Sequence, residues 1–155
     1  MTAIVAKKNL EAREKIKSLQ SSMIDGLASG IITPVQEELS HFFAPGMYGR
    51  QLIIRAGTTV VGKLHRHSHL NVISRGRIRV FTEFGYDILD ATDAPVVFAS
   101  EVGTKRAVYA ETDTYWMTFH LVKSEDLAEI EADVIAEDYD ALLKLPYTEI
   151  KGAIQ

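Results

Sequence analysis

The sequence contains no cysteine, and this absence narrows the chemistry open to the chain. It excludes a disulfide scaffold, a thiol nucleophile and any thiolate metal site, and it is compatible with a reducing cytosol. No apolar run approaches the ~18 residues that are needed to span a bilayer. The first residues are only mildly apolar and charged residues follow them. We therefore expect a cytoplasmic protein without a secretory signal or a membrane partner.

The composition is that of one folded domain. The chain has 155 residues, of which 46% are hydrophobic and 25% are charged, so it can bury a core without covalent staples. Residues 1–110 carry 14 Lys and Arg against 10 Asp and Glu, whereas residues 111–155 carry 3 against 11. The acidic C-terminal part argues against a nucleic-acid partner and predicts a solvated helix face.

Hydrophobic spacing predicts a helix at each end of the chain. Apolar residues recur every three or four positions over 6–28, which predicts an amphipathic helix that packs on its own domain or binds a partner. Residues 124–145 are also predicted to be helical, with Ser124 as the N-cap. Ile135, with Tyr139 and Leu142, continues that helix or begins a second one, and Pro146 ends it.

The middle of the chain, about 47–122, is predicted to form an antiparallel sandwich or barrel. Short runs rich in β-branched and aromatic residues alternate there with turn formers. The phase of the apolar residues shifts across Gly76, which predicts a bulge or bend. The predicted strands are Gln51–Ile54, Thr58–Leu64, Leu70–Ser74, Arg77–Thr82, Pro95–Phe98, Ala107–Ala110 and Thr114–Val122.

Three of the five histidines, His65, His67 and His69, fall within five residues, which indicates a metal site. On a straight strand, residues i and i+2 share a face at ~6.6 Å, whereas i and i+4 lie ~13 Å apart. His67 could therefore chelate with either neighbour, and His65 and His69 could share an ion only if the chain turns between them. The alternative is a solvated histidine-rich loop.

This stretch resembles the first sequence motif of the cupins. Gly57, five residues, Lys63-Leu64-His65, three residues, His69, six residues and Gly76 match the motif at every spacing. The second motif is weaker: Pro95, Glu101, Gly103, Arg106 and Ala110 fall at its marked positions, and only Gly103 keeps the residue type. The order of elements also resembles small cupin-like proteins of tailed phages.

The resemblance implies an all-β cupin-like jelly-roll barrel at 33–122, an N-terminal helical extension at 1–32 and a C-terminal helical tail at 123–155. It also implies a divalent metal inside the barrel: Zn, Fe, Mn or Ni. His65 and His69 take two of its ligand positions, whereas Lys63 and Arg106 stand at the other two. A cation would repel the metal, so replacement ligands must come from elsewhere.

His120 is the leading candidate for a third ligand. It ends a strand on the face shared by Trp116 and Thr118, while the other face is expected to be core: Tyr115, Met117, Phe119 and Leu121. A hydrogen-bonded structural histidine is the alternative for His120. His67 serves instead if the corner is tight, and Glu101 is a weaker option.

Lys63 and Arg106 suggest that the same cavity recognises a small anionic molecule. Asn71 and Tyr109 could orient that ligand, and a packed strand residue or surface charge is the alternative for each. The first hypothesis is a metal-dependent enzyme of the oxygenase, isomerase or lyase type. The alternative is a non-catalytic barrel that binds a small ligand or a protein, and a third possibility is a phage structural component.

Leu70 and Val72 are apolar on the strand face opposite His69 and Asn71. A strand that is apolar on both faces needs a cover. We therefore expect a homodimer, or the N-terminal helix packed across the barrel.

Overall fold

The structure, a computed structural model, describes residues 3–137. No helix within this range is both long enough and apolar enough to cross a membrane. In chain order the elements are α1 (Ala3–Ala28), β1 (Glu38–Ala44), β2 (Met47–Ile54), β3 (Thr59–Val61), β4 (Leu64–His65), β5 (His69–Arg75), β6 (Arg77–Thr82), β7 (Gly85–Asp90), β8 (Val96–Ser100), β9 (Ala107–Ala110), β10 (Thr114–Leu121), α2 (Leu127–Val134) and β11 (Ile135–Ala136).

The strands form a jelly-roll barrel of antiparallel sheets. One sheet has the order β1-β2-β10-β5-β8, a second has the order β3-β9-β6-β7, and β11 pairs with β4. Apolar residues from both larger sheets meet in one core: Ile54, Ile73, Ile78, Val80, Ala91, Val108, Ala110 and Trp116. Burial of this core stabilises the packing of the two sheets. The predicted all-β fold with helical flanks is confirmed.

Gly76 lets β5 turn into β6. Its φ is +105°, and a Cβ there would collide with the carbonyl oxygen of Asp113 and lie 2.7 Å from the Cα of Thr114. Only glycine fits this close approach. The pairing of β10 with β5 also shifts register at Tyr115/Trp116. The predicted irregularity at Gly76 is confirmed.

The predicted N-terminal helix is present as α1, and it packs beside β6. Ile16 is buried, and Arg13 on α1 forms an ion pair with Glu83, the residue after β6, at 3.4 Å. Lys105 donates a hydrogen bond to Gln20 at 2.6 Å. Leu70 remains 53% exposed, so α1 does not cover the apolar face of β5.

The segment after β10 differs from the prediction. Asp126, not Ser124, caps α2, because its carboxylate accepts a hydrogen bond from the backbone N–H of Glu129 at 3.0 Å. Ile135 leaves the helix and begins β11, since its backbone pairs with His65 in β4. The predicted positions of Tyr139, Leu142 and Pro146 lie outside the described residues.

The two faces of β10 are the reverse of the prediction. Trp116 and His120 are buried on the face that points into the barrel, whereas Leu121 is 83% exposed on the other. Tyr115, Met117 and Phe119 are half-buried on that outer face. Polar residues lie inside the barrel because they line a cavity rather than a closed core.

Candidate metal centre

Three histidines from three strands converge inside the barrel. His65 ends β4, His69 begins β5 and His120 lies next to the end of β10. The register that pairs Phe119 with Leu70 places His120 directly across from His69. The ring centroids of His65 and His69 are 4.3 Å apart, and that of His120 lies 4.6 Å from His69 and 5.5 Å from His65.

The chain bends between His65 and His69, as their sharing of one site requires. Residues 66–68 form the bend. Arg66 fixes it to the end of α2 with two hydrogen bonds, from its backbone N–H to the carbonyl of Val134 at 2.8 Å and from Nε to the carbonyl of Ile135 at 2.7 Å. Gly103 N–H donates to the carbonyl of His65 at 3.0 Å. The bend is therefore held from two sides.

The three rings satisfy the elementary geometry of a metal site. One ligand nitrogen from each lies within 4.8 Å of the others. Nitrogens bound at ~2.1 Å to one tetrahedral or octahedral ion stand roughly 3–3.4 Å apart, so small rotations of the rings suffice. His69 Nδ1 donates to the carbonyl of His67 at 3.3 Å, which orients its other nitrogen. Within residues 3–137, His69 Nε2 and His65 Nδ1 are buried without a hydrogen-bond partner.

Burial keeps the three imidazoles neutral. Desolvation is the largest cause at each ring, and it lowers the pKa of His65 to about 2, of His69 to about 4 and of His120 to about 3. Mutual repulsion adds to the lowering at His65 and His120. The positive charge of Arg50 acts on both in the same direction. Neutral imidazole is the form that binds a metal, so no proton has to leave at neutral pH.

The histidines open into a cavity of about 430 Å³. One part of its wall is apolar and comes from both sheets: Leu39, Leu52, Ile54, Val60, Val108 and Trp116. The charged lining residues are Glu37, Arg50, Lys63, Arg106 and Glu131. A pocket of this size suits a small molecule that has both an apolar and a charged part.

Asn71 holds the wall next to the histidines. Its side-chain amide donates to Ser100 Oγ at 2.6 Å, and its amide oxygen accepts from Trp116 Nε1 at 2.9 Å. All three residues are buried. Because Asn71 follows His69 by two positions on the same strand face, this network fixes β5 against β8 and β10 where β5 carries a histidine.

Of the other residues singled out from the sequence, two line the cavity and one lies beside it. Lys63 lines the cavity and forms an ion pair with Glu131. Arg106 also lines it, with its guanidinium 5.4 Å from the ring centroid of Phe98, and burial lowers its pKa. His67 is not part of the group of three converging nitrogens, and its Nε2 lies 3.5 Å from Asp133.

Two candidates lie outside the cavity. Tyr109 is 42% exposed and pairs with Thr59 and Arg79 on a sheet face opposite its buried neighbours Val108 and Ala110. The two-residue alternation of β9 therefore carries it away from the ligand site. Glu101 is exposed in the loop after β8 and is absent from the lining.

Sequence reasoning missed two residues of β2. Tyr48 is buried, its hydroxyl lies 2.8 Å from His41 Nδ1, and its ring stacks on His120 at 6.1 Å between centroids. Arg50, two positions on, shares that inner face and lines the cavity. If the two-residue alternation of the predicted strand Gln51–Ile54 is continued towards the N-terminus, Tyr48 and Arg50 fall on the same face as Leu52. This alternation was the available signal.

Comparison with solved structures identifies the fold. Salicylate 1,2-dioxygenase from Pseudoaminobacter salicylatoxidans, solved with gentisate, matches with a TM-score of 0.50 at 14% identity over 81% of this chain and 36% of that one. Ectoine synthase from P. lautus matches at 0.47 and 13% over 57% and 65%. A cupin-2 domain protein from Shewanella frigidimarina matches at 0.44 and 8% over 64% and 92%.

No protein-family model and no curated protein matches the sequence. The chain spans only about a third of the dioxygenase it resembles. At these identities the likeness shows the fold alone, and that fold is the cupin barrel. Its interior carries a cluster of three histidines that could bind a metal ion.

Proposed function

We propose that this protein is a metal-binding cupin in which His65, His69 and His120 hold one divalent ion beside a cavity for a small anion. The observation that carries the proposal is the convergence of three buried imidazoles, two of them with a nitrogen that lacks a hydrogen-bond partner within residues 3–137. A buried nitrogen without a partner is costly, and a metal ion would satisfy it.

The donor set limits the ion. Three neutral imidazoles without thiolate suit Zn, Fe, Ni or Mn. Three protein ligands leave coordination positions open, and a bound ion would supply Lewis-acid or redox chemistry there. The chain's own contribution is to orient the rings through the His67 carbonyl and Asn71, and to place Arg50 and Arg106 beside the open side of the site. This arrangement supports an enzyme that acts on a small anion.

A second candidate function is an anion-binding barrel without catalysis. Arg50 and Arg106 favour it, because no carboxylate lies within ion-pair distance of either guanidinium among the described residues, although the charge of Glu83 acts on Arg106. Such a barrel would need no metal, and it could serve as an accessory or structural component of a larger particle.

Metal analysis separates the two candidates. We expect untagged protein, purified without chelators, to contain close to one equivalent of Zn, Fe, Ni or Mn by elemental mass spectrometry. His65→Ala, His69→Ala and His120→Ala should each lower the content at least tenfold, because two imidazoles bind far more weakly than three.

His67→Ala is the matched control. It removes a neighbouring histidine whose ring lies outside the cluster, so its metal content should equal that of the wild type. If the wild type takes up no metal on reconstitution, the metal proposal fails and the anion-binding barrel remains. If His67→Ala loses metal as His69→Ala does, the assignment of ligands is wrong.

We also propose that a second copy of the chain covers the outer face of the five-stranded sheet. Five large apolar side chains on this face are between 44% and 83% exposed: Phe42, Met47, Leu70, Val97 and Leu121. Together they expose on the order of 500 Å² of apolar surface, which is large for a monomer.

The area and the charges of this outer face fit a homodimer. A stable interface covers ~800 Å² on each partner, so the apolar patch would form most of one. At the centre of this face, Phe119 pairs with Gly49 on one side and with Leu70 on the other, and none of these three residues is charged. Two copies can therefore meet without like-charge repulsion.

A further inference from the structure

Three cationic and two acidic side chains line the cavity beside the three histidines, so its positive charge is not fully balanced. Arg50 projects from β2 into the cavity, opposite Thr118 and two positions along from the pair of Tyr48 with His120. Its charge also lowers the pKa of both His65 and His120. Arg106 faces the same space from the opposite sheet and lowers the pKa of His65 and His69. The two guanidiniums therefore act on all three rings.

Nearby carboxylates offset this charge only in part. Glu131 is hydrogen-bonded to Lys63 and also feels the charge of Arg50, and both effects lower its pKa. Glu83 acts on Arg106 from outside the lining, and Glu37 is exposed at the rim. The three histidines are neutral ligands, so an ion bound to them keeps its full charge of +2. A divalent ion and two arginines would then repel one another in a cavity that is partly enclosed by the protein.

A carboxylate would relieve this repulsion. Guanidinium binds carboxylate through paired hydrogen bonds, and a carboxylate oxygen is also a good ligand for a divalent ion at an open position. One carboxylate group can therefore contact the ion and Arg50 together. The apolar wall next to it, which includes Leu52, Val108 and Trp116, favours a carboxylate with an apolar body over inorganic phosphate.

We propose that the metal ion and a small apolar carboxylate bind this cavity cooperatively, with Arg50 as the residue that couples them. The inference rests on the proposed metal site and names the class of its second ligand. Without the carboxylate, Arg50 weakens metal binding. With it, Arg50 strengthens the binding of both. The coupling is reciprocal, so the metal must raise the affinity for the carboxylate by the same factor.

The test is a Co²⁺ titration of the metal-free protein, with and without saturating benzoate. Benzamide is the probe control, because it has the same shape and no charge. We expect benzoate to tighten Co²⁺ binding at least tenfold and benzamide to change it less than twofold. Inorganic phosphate should act less strongly than benzoate, since it cannot use the apolar wall.

The Arg50→Gln variant distinguishes an arginine that couples the two ligands from one that only supports the fold. It should bind Co²⁺ alone at least as tightly as the wild type does, because a repulsive charge has been removed, while the effect of benzoate falls below threefold. Arg79→Gln is the matched control. Arg79 lies on β6 outside the cavity lining and pairs with Glu111, so the variant should keep the full effect of benzoate.

The outcomes separate this inference from the proposed function. If Co²⁺ binds and benzoate leaves its affinity unchanged, the coupling is refuted and the metal site stands. Weaker Co²⁺ binding by Arg50→Gln in the absence of benzoate would refute the assigned role of Arg50. If Co²⁺ does not bind with or without benzoate, both proposals fall. Equal effects of phosphate and benzoate would refute the apolar carboxylate as the preferred ligand.

Discussion

At the end of the five-stranded sheet that lies beside the histidines, the two faces are the reverse of an ordinary barrel sheet. The inner face carries Tyr48, Arg50, Asn71 and His120, and the outer face carries mainly apolar residues such as Leu121, which is 83% exposed. In most sheets with one solvated face, the apolar residues point inwards and the polar residues outwards. Here the strand alternation is kept and its polarity is inverted.

The inversion fits the two proposed roles of the sheet. Polar groups inside a barrel cost stability unless they are paired, and a ligand site on the inner face, as proposed, would account for them. Apolar groups outside give no stability to an isolated chain, so the outer face is suited to a partner. The apolar core that supports the fold lies between the sheets at their other end, around Ile73 and Ile78.

Asn71→Leu should have the largest effect on the inner face. The substitution leaves the Trp116 indole N–H and the Ser100 hydroxyl buried without a partner, and each loss costs about 1–3 kcal/mol. We expect the free energy of unfolding in urea to fall by about 4 kcal/mol.

Gln51→Leu on the outer face is the matched control, because it makes the same amide-to-alkyl change on another strand of the same sheet. Gln51 has no such buried network within the described residues, so its effect should stay within about 0.5 kcal/mol. Equal losses in the two variants would contradict the distinction between the faces.

Acidification should destabilise the metal-free protein through the same inner face. The pKa values of His65, His69 and His120 are lowered to between about 2 and 4 from the ordinary value of 6.5, so below pH 6.5 the unfolded chain takes up protons that the folded chain does not. Their contribution is complete above pH 6.5 and is lost as the pH falls towards 4.

Between pH 6.5 and 5.5 the loss should be about 1 kcal/mol for each histidine, or about 3 kcal/mol together. Urea unfolding at several pH values measures it. His120→Gln should reduce the slope by about a third. The lowered pKa values of exposed carboxylates such as Glu38 and Glu111 act below this window. A stability that does not change across the window would contradict the neutral, buried state of the cluster.

Leu70→Lys tests the outer face. It places one charge from each copy in the proposed interface, and we expect dimer affinity to fall at least a hundredfold, about 2.7 kcal/mol. Light scattering during gel filtration should show a dimer for the wild type and a monomer for the variant. Ile31→Lys is the control, because Ile31 is 84% exposed outside the sheet and should leave the dimer intact. A wild type that is monomeric at all concentrations refutes the dimer.

Lys63→Gln should have the smallest effect. The ion pair of Lys63 with Glu131 is more than half exposed at both side chains, and such pairs contribute less than about 1 kcal/mol. We expect unchanged metal content and a shift of thermal unfolding of no more than a few degrees. A large loss of metal would mean that this pair holds α2 against the cluster.

Most of the fold can be predicted from the sequence, because local residue patterns indicate where the strands and helices lie. The alternation of apolar residues predicts the core strands, and the Gly76 phase shift predicts the irregularity that its φ of +105° confirms. The strand at Glu38–Ala44 escapes prediction since its exposed Phe42 and Phe43 break the alternation of a half-buried strand. The turn at residues 66–68, which brings His65 to His69, is foreseeable from its polar residues.

Local sequence patterns do not show which strands pair with one another or in which register. His120 faces His69 only because of the β10–β5 register, and nothing in the sequence around either residue specifies that register. Arg50 enters the cavity from β2, 15 residues before His65, the first of the clustered histidines. Likewise, the contact of Ile135 with His65 joins segments 70 residues apart.

The pairing of β4 with β11 has a consequence for biosynthesis. When residue 120 emerges from the ribosome, all three histidines are outside it, but the segment that holds the bend after His65 is still in the exit tunnel. A nascent chain at that stage holds its histidines around an open edge. The lining of the cavity is complete only after residues 127–136 have emerged and docked on β4, so this segment is the last part of the proposed site to assemble.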